Sequence, residues 1–184
     1  MRLFPGQMIS CWSIVVPILR WLVHVPPHTG VYKLNSDPAV NLKYGKVGLG
    51  VIIRNFKGQV MACKASLVLV GFSPLISEAL AILSGRRFTL EVGLFPCVIE
   101  FDSQVTVNLM HSGSDRFADV GLVLNDIRLL LSSVSDELME FVPKKANMAA
   151  HGLAKFALSL FSDRILLEGF PLFLAFVVLG DCLL

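Results

Sequence analysis

The chain has 184 residues, 54% of them hydrophobic and 16% charged, and a formal net charge of +2. That length accommodates one domain with a sizeable core, and that apolarity excludes an intrinsically disordered chain. Charged residues fall short of the roughly 25% usual in soluble domains, and so small an excess of positive charge excludes reading a nucleic-acid partner from charge alone.

Residues 9–25 are apolar but are interrupted by Pro17 and Arg20 and lack a small-x-small cleavage site. They read neither as a signal peptide nor as a membrane span. The turn cluster Pro26-Pro27-His28-Thr29-Gly30 marks the start of the organised domain. Residues 31–40 read as a strand. Residues 47–55 form a β-branched run closed by Phe56-Lys57-Gly58, a hairpin turn into a third strand over 59–70. Ser73-Pro74 starts a helix to about Glu91, with Ser73 as N-cap and Pro74 at the first helical position, where its missing N–H costs nothing.

Gly93-Leu94 breaks that helix, and residues 95–101 form a short apolar strand ending at Asp102, with Ser103 placed to cap the next helix. Strand, helix, strand implies a parallel crossover. Val120, Val123, Leu124, Ile127 and Leu131 have helical spacing, and residues 140–142 offer a last short strand. Asn147 is expected to cap a final helix through about Phe161. This order excludes an all-α bundle or a sandwich and predicts a mixed α/β fold, a sheet with helices packed on its faces. The expected division is an apolar extension (1–25), the domain (26–163) and an apolar tail (164–184). The apolar part of the tail, residues 170–179, is about half the ~20 residues needed to cross a bilayer. No membrane association is therefore expected.

Cys11, Cys63, Cys97 and Cys182 are far apart with no Cys-x-x-Cys pair, and the four histidines are equally scattered, which argues against a zinc site or a disulfide framework. Buried, inert thiols in a reducing, intracellular compartment, nuclear or cytoplasmic, are expected.

Asp37, Glu78 and Asp102 each sit where an apolar periodic segment starts or stops, which is where folds of alternating strands and helices place their chemistry. Plainer roles stay open: Asp37 as a turn residue, Glu78 as a carboxylate favoured near a helix N-terminus and Asp102 as a helix cap. His151 lies on a helix packed through Leu153, Phe156, Ala157 and Leu160 and is either a metal contact or an ordinary surface histidine. Lys144 and Lys145 form either a solvated turn or a phosphate contact.

Five segments in order carry a family resemblance. They are Pro-Pro-x-x-Gly-x-Tyr-Lys-Leu-Asn-x-Asp, a Gly-x-Gly strand and hairpin, Glu-Ala-Leu-Ala, Ile-Glu-x-Asp-Ser-Gln, and Ala-Asn-x-x-Ala-His-x-Leu-Ala-Lys. Over about Trp21 to Phe161 the chain resembles the type 1 ribonuclease H domain, and more narrowly the plant version found alone or at the end of retroelement-derived reverse transcriptases. The resemblance implies a ribonuclease H-like fold, a five-stranded mixed sheet flanked by helices. It also implies metal-dependent hydrolysis of the RNA strand of an RNA/DNA hybrid. Asp37, Glu78, Asp102 and His151 would hold two Mg²⁺ ions, Asp37 bridging both. Ser103, Gln104, Lys144, Lys145 and Asn147 would contact nucleic acid.

Three departures from the family pattern stand out. His151 replaces an Asp, an exchange that favours Mn²⁺ over Mg²⁺. Pro38 stands where Gly is usual and deletes a backbone N–H. The link Pro143-Lys144-Lys145-Ala146 is too short for the His-bearing loop of many active members. A catalytically weakened or inactive nucleic-acid-binding relic of a retroelement is therefore the alternative function. The presence of all three acids favours the nuclease.

Overall fold

The computed structural model describes residues 26–69, 72–106, 108, 122–123, 125–127, 129 and 138–182. The extension over 1–25 and half of the helix expected over 120–131 lie outside these residues, although 122–123, 125–127 and 129 are helical. The described elements are β1 (Tyr32–Asn41), β2 (Lys46–Arg54), β3 (Val60–Val68), α1 (Pro74–Val92), β4 (Cys97–Phe101), β5 (Leu138–Phe141), α2 (Met148–Ala157), β6 (Arg164–Leu167) and α3 (Ala175–Cys182).

The strands form one sheet in the order β5-β4-β1-β2-β3-β6. The pairs β1/β2, β2/β3 and β3/β6 are antiparallel, and β1/β4 and β4/β5 are parallel. The β2–β3 hairpin closes where Gly58, at φ 74°, donates its N–H to the Asn55 carbonyl at 2.9 Å, a left-handed position that glycine adopts without steric cost. The start of α1 is as expected: Ser73 Oγ accepts from the Ile76 N–H at 3.3 Å.

Helices cover both faces of the sheet. On one face Leu34, Val51, Ile53, Ile99 and Phe101 pack against Ala79, Ile82, Leu83 and Phe88 of α1. On the other, Ile52, Cys63 and Ala65 meet Ala150, Leu153 and Ala157 of α2, together with Leu174 and Val178. Each fully buried large side chain contributes about 1.5–3 kcal/mol, so these two layers hold α1 and α2 in fixed positions over β1. Cys63 and Cys97 are buried and neither is in a disulfide, and burial pushes the Cys63 thiol up to about 11. Among the described residues no helix is long and apolar enough to cross a membrane.

The sheet has six strands where the sequence predicts five. The additional strand, β6, pairs with β3 from Ala62↔Leu167 to Ala65↔Arg164. Its four residues, Arg-Ile-Leu-Leu, are all exposed, so they show no buried/exposed alternation, and the partner that makes them a strand lies about a hundred positions back. Residues 164–167 of the expected tail are thus part of the sheet. A smaller difference concerns α2, which stops at Ala157 rather than Phe161 because Ser159 folds back, its Oγ donating to the Phe156 carbonyl at 2.7 Å.

A candidate active site at the ends of strands β1 and β4

Asp37 lies within β1, and Asp102 directly follows β4. The last pair between these parallel strands is Asn35↔Glu100. Because residues two apart share a face, Asp37 and Asp102 come next, beyond the end of the ladder. Glu78 enters from the second turn of α1. His151 enters from α2, and how it arrives follows from glycine. Asp37 is paired across the strands with Gly50, and a Cβ at Gly50 would overlap the carbonyl oxygen of Ala150. Only a bare backbone lets α2 lie this close to β2, and His151 is the next residue along the helix.

The imidazole Nδ1 of His151 lies 2.7 Å from Asp37 Oδ2. Asp37 is 4% exposed. Burial, then repulsion by and hydrogen bonding to Asp102, then the charge of Glu78, push its carboxyl up to about 9 from 3.8. Burial first and Asp102 second push Glu78 up to about 7. Burial, with the nearby charges of Lys144 and Lys155, lowers His151 below its ordinary value of 6.5. At neutral pH both shifts favour a protonated Asp37 beside a neutral imidazole, the tautomer of His151 deciding which of the two donates.

Asn147 differs from its expected role. It makes no cap bond for α2; instead its Nδ2 donates to the Ser36 carbonyl at 2.9 Å and to Asp102 Oδ1 at 3.0 Å. At 1% exposure it ties β1 to Asp102 from inside rather than presenting a surface. Ser103 caps the following turn, accepting from the Thr106 N–H at 3.4 Å. Gln104, Lys144 and Lys145 are exposed. Pro38 removes no ladder bond. The Tyr32 N–H points to β4, donating to the Pro96 carbonyl at 3.0 Å, and alternation puts the nitrogen of residue 38 on that same side, past the last β1–β4 pair. The β1–β2 register accordingly continues through Pro38↔Leu49 to Asn41↔Lys46.

The sequence reading missed a layer just beneath the acids. Lys33 Nζ lies 2.6 Å from Glu100 Oε1, Asn35 Nδ2 donates to Glu100 Oε2 at 3.1 Å, and Arg54 Nη1 donates to Asn35 Oδ1 at 3.2 Å. All four side chains are buried. Their signal in the sequence is the alternation of Lys33 and Asn35 in β1 and a charged residue, Arg54 or Glu100, beside the apolar runs of β2 and β4.

The donor chemistry of the site is that of a hard cation: carboxylate oxygens crowded against one another. Among the described residues, however, no three His, Cys, Asp or Glu side chains close into a metal-holding group as they stand. The three acids fit a divalent cation by charge and by ligand type.

No curated protein matches the chain. Among solved structures, it is similar to RNase H1 from the halophilic archaeon Halobacterium salinarum NRC-1, with 21% identity, 70% of this chain and 98% of that chain covered, and a TM-score of 0.65. It is also similar to the N-terminal RNase H domain of a Mycobacterium tuberculosis protein, with 18% identity, 70% and 93% covered and a TM-score of 0.63. A third is LC11-RNase H1 in complex with an RNA/DNA hybrid, with 16% identity, 70% and 95% covered and a TM-score of 0.59. These likenesses establish a ribonuclease H fold. Residues 35–157, about two thirds of the chain and the span from within β1 to the end of α2, match the reverse transcriptase-like family, and to that family the chain belongs.

Proposed function

We propose that the chain binds an RNA/DNA hybrid where Asp37 and Asp102 of the sheet meet Glu78 of α1 and hydrolyses the RNA strand with the help of divalent cations. The observation that carries this reading is the adjacency of Asp37 and Asp102, with Asp37 raised to about 9. Carboxylates held together at such electrostatic cost are relieved by a cation. The substrate class is supported by the LC11 enzyme, which was solved with a hybrid.

Asp37, Glu78 and Asp102 would hold the metal, two Mg²⁺ ions by the family resemblance or Mn²⁺ in preference, and a bound ion supplies an activated water and charge stabilisation at the scissile phosphate. The chain's own groups do the rest. Lys144, whose charge acts on Asp37, Glu78 and His151 alike, meets a phosphate of the backbone, with Lys145, Ser103 and Gln104 alongside. Asn147 holds Asp102 in place. His151 orients Asp37 through Nδ1 and has only Nε2 left for another partner.

A second reading, a hybrid-binding domain whose cleavage has decayed, is favoured by one observation. The His151 imidazole is engaged on Oδ2 of Asp37, which would leave that oxygen less free to hold a cation. A labelled RNA/DNA hybrid tests both readings. Cleavage is expected to be slow with Mg²⁺ and faster with Mn²⁺. His151→Asp is expected to raise the Mg²⁺-dependent rate by about tenfold for each ~1.4 kcal/mol of transition-state stabilisation recovered, and Asp37→Asn to abolish cleavage with either ion. Hybrid binding with no cleavage by the wild type or by His151→Asp establishes the second reading; no binding at all sinks both.

A further inference from the structure

In the buried layer of Lys33, Asn35, Arg54 and Glu100, the pair Asn35 and Glu100 lies one rung below Asp37 and Asp102 on the same face of the same two strands, and Lys33 of β1 and Arg54 of β2 bind to that pair. The β1–β4 ladder ends at that rung. Past it, residue pairing between β1 and β4 no longer fixes the distance between the two carboxylates, and two other devices span the gap. Above is Asn147, bonded to Ser36 and Asp102. Below is Glu100, whose two carboxylate oxygens take Lys33 and Asn35 of β1, while Asn35 is held in turn from β2 by Arg54.

Stability does not account for such a layer. Buried ion pairs cost desolvation, and packed apolar side chains in their place are commonly as stable or more so. Charge-assisted hydrogen bonds are, however, short and directional, which apolar packing is not. We infer that Lys33, Asn35, Arg54 and Glu100 are positioning residues that lock β4 against β1 and so set the separation and orientation of Asp37 and Asp102. The consequence for cation affinity rests on the proposed function; the consequence for the carboxylates themselves does not.

Two measurements on the full chain separate the two. Mn²⁺ is titrated by electron paramagnetic resonance, and the Nδ1 resonance of His151, which lies against Asp37, is followed by nitrogen NMR without metal. Asn35→Leu removes the link to both Glu100 and Arg54. Glu100→Gln keeps the acceptor for Asn35 and removes the charge facing Lys33, and it carries the test if Asn35→Leu does not fold. Val178→Ala in α3 is the control for a general loss of packing. Both layer variants are expected to weaken Mn²⁺ binding by about tenfold or more and to move the His151 resonance, while Val178→Ala does neither. If the His151 resonance moves but the wild type binds Mn²⁺ no better than Asp37→Asn, the metal reading fails and the positioning role stands. Layer variants that keep wild-type Mn²⁺ affinity and an unmoved His151 resonance overturn it.

Discussion

At Asp37, burial and chemistry pull in opposite directions. A carboxyl raised from 3.8 to about 9 binds its proton more tightly in the folded chain than in the unfolded one. Between those values the unfolded state therefore gains from ionisation, and stability falls as pH rises. Glu78, raised from 4.5 to about 7, adds to the same slope in its own window. His151, lowered from 6.5, works the opposite way below that value, so without metal the thermal midpoint is expected to decline from pH 7 to pH 9. Asp37→Asn, which cannot ionise, should flatten that decline and stabilise the chain at pH 8 by roughly 1–3 kcal/mol while removing activity. Thermal melts in chelator across this range check it, and a pH-independent difference between the two proteins would refute it. That the acids make a candidate site was legible only through the family resemblance, since a lone carboxylate at the end of an apolar segment has plainer roles. That Asp37 pairs with His151 was not, since the two are 114 positions apart and meet only through packing.

The element that makes this meeting possible is the close contact of α2 with β2. At Gly48 and Gly50 an added Cβ would run into the backbone of Ala154 and Ala150, atoms that cannot swing aside as a side chain can. Gly50→Ala is expected to cost about 3 kcal/mol or more by forcing the helix outward, and to separate His151 from Asp37. Urea denaturation reads the first effect and the His151 resonance the second; an unchanged midpoint would show that the helix already has room. The sequence marked these glycines as a Gly-x-Gly strand without saying what needs the space. It likewise foretold the cap at Ser73, a local affair of four residues, but misassigned Asn147, whose amide had two long-range partners on offer and took them instead of the helix end.

Over the whole molecule, the C-terminal residues complete both the sheet and one of its cores. β6 covers the edge of β3, and Leu174 and Val178 are buried in the α2-side cluster at 2% and 3% exposure. Ending the chain after Asp163 is expected to lose about 3–6 kcal/mol from those two side chains alone, a large part of a typical domain's 5–15 kcal/mol. A lowered melting temperature and binding of a hydrophobic dye would report the loss, and a truncated chain as stable as the whole would show that the tail is an ornament. The sequence by itself determined the mixed α/β class and the order of β1 to β4 with α1, because each is written in local periodicity, caps and residue type, and it singled out the acidic trio as a candidate site through the family resemblance. Only the tertiary structure decided that residues 164–167 are a strand, that Pro38 costs no ladder bond, that Asn147 serves Asp102, and that Lys33, Asn35, Arg54 and Glu100 meet under the site. Each of these depends on which distant backbone or side chain arrives alongside, and no local pattern records that.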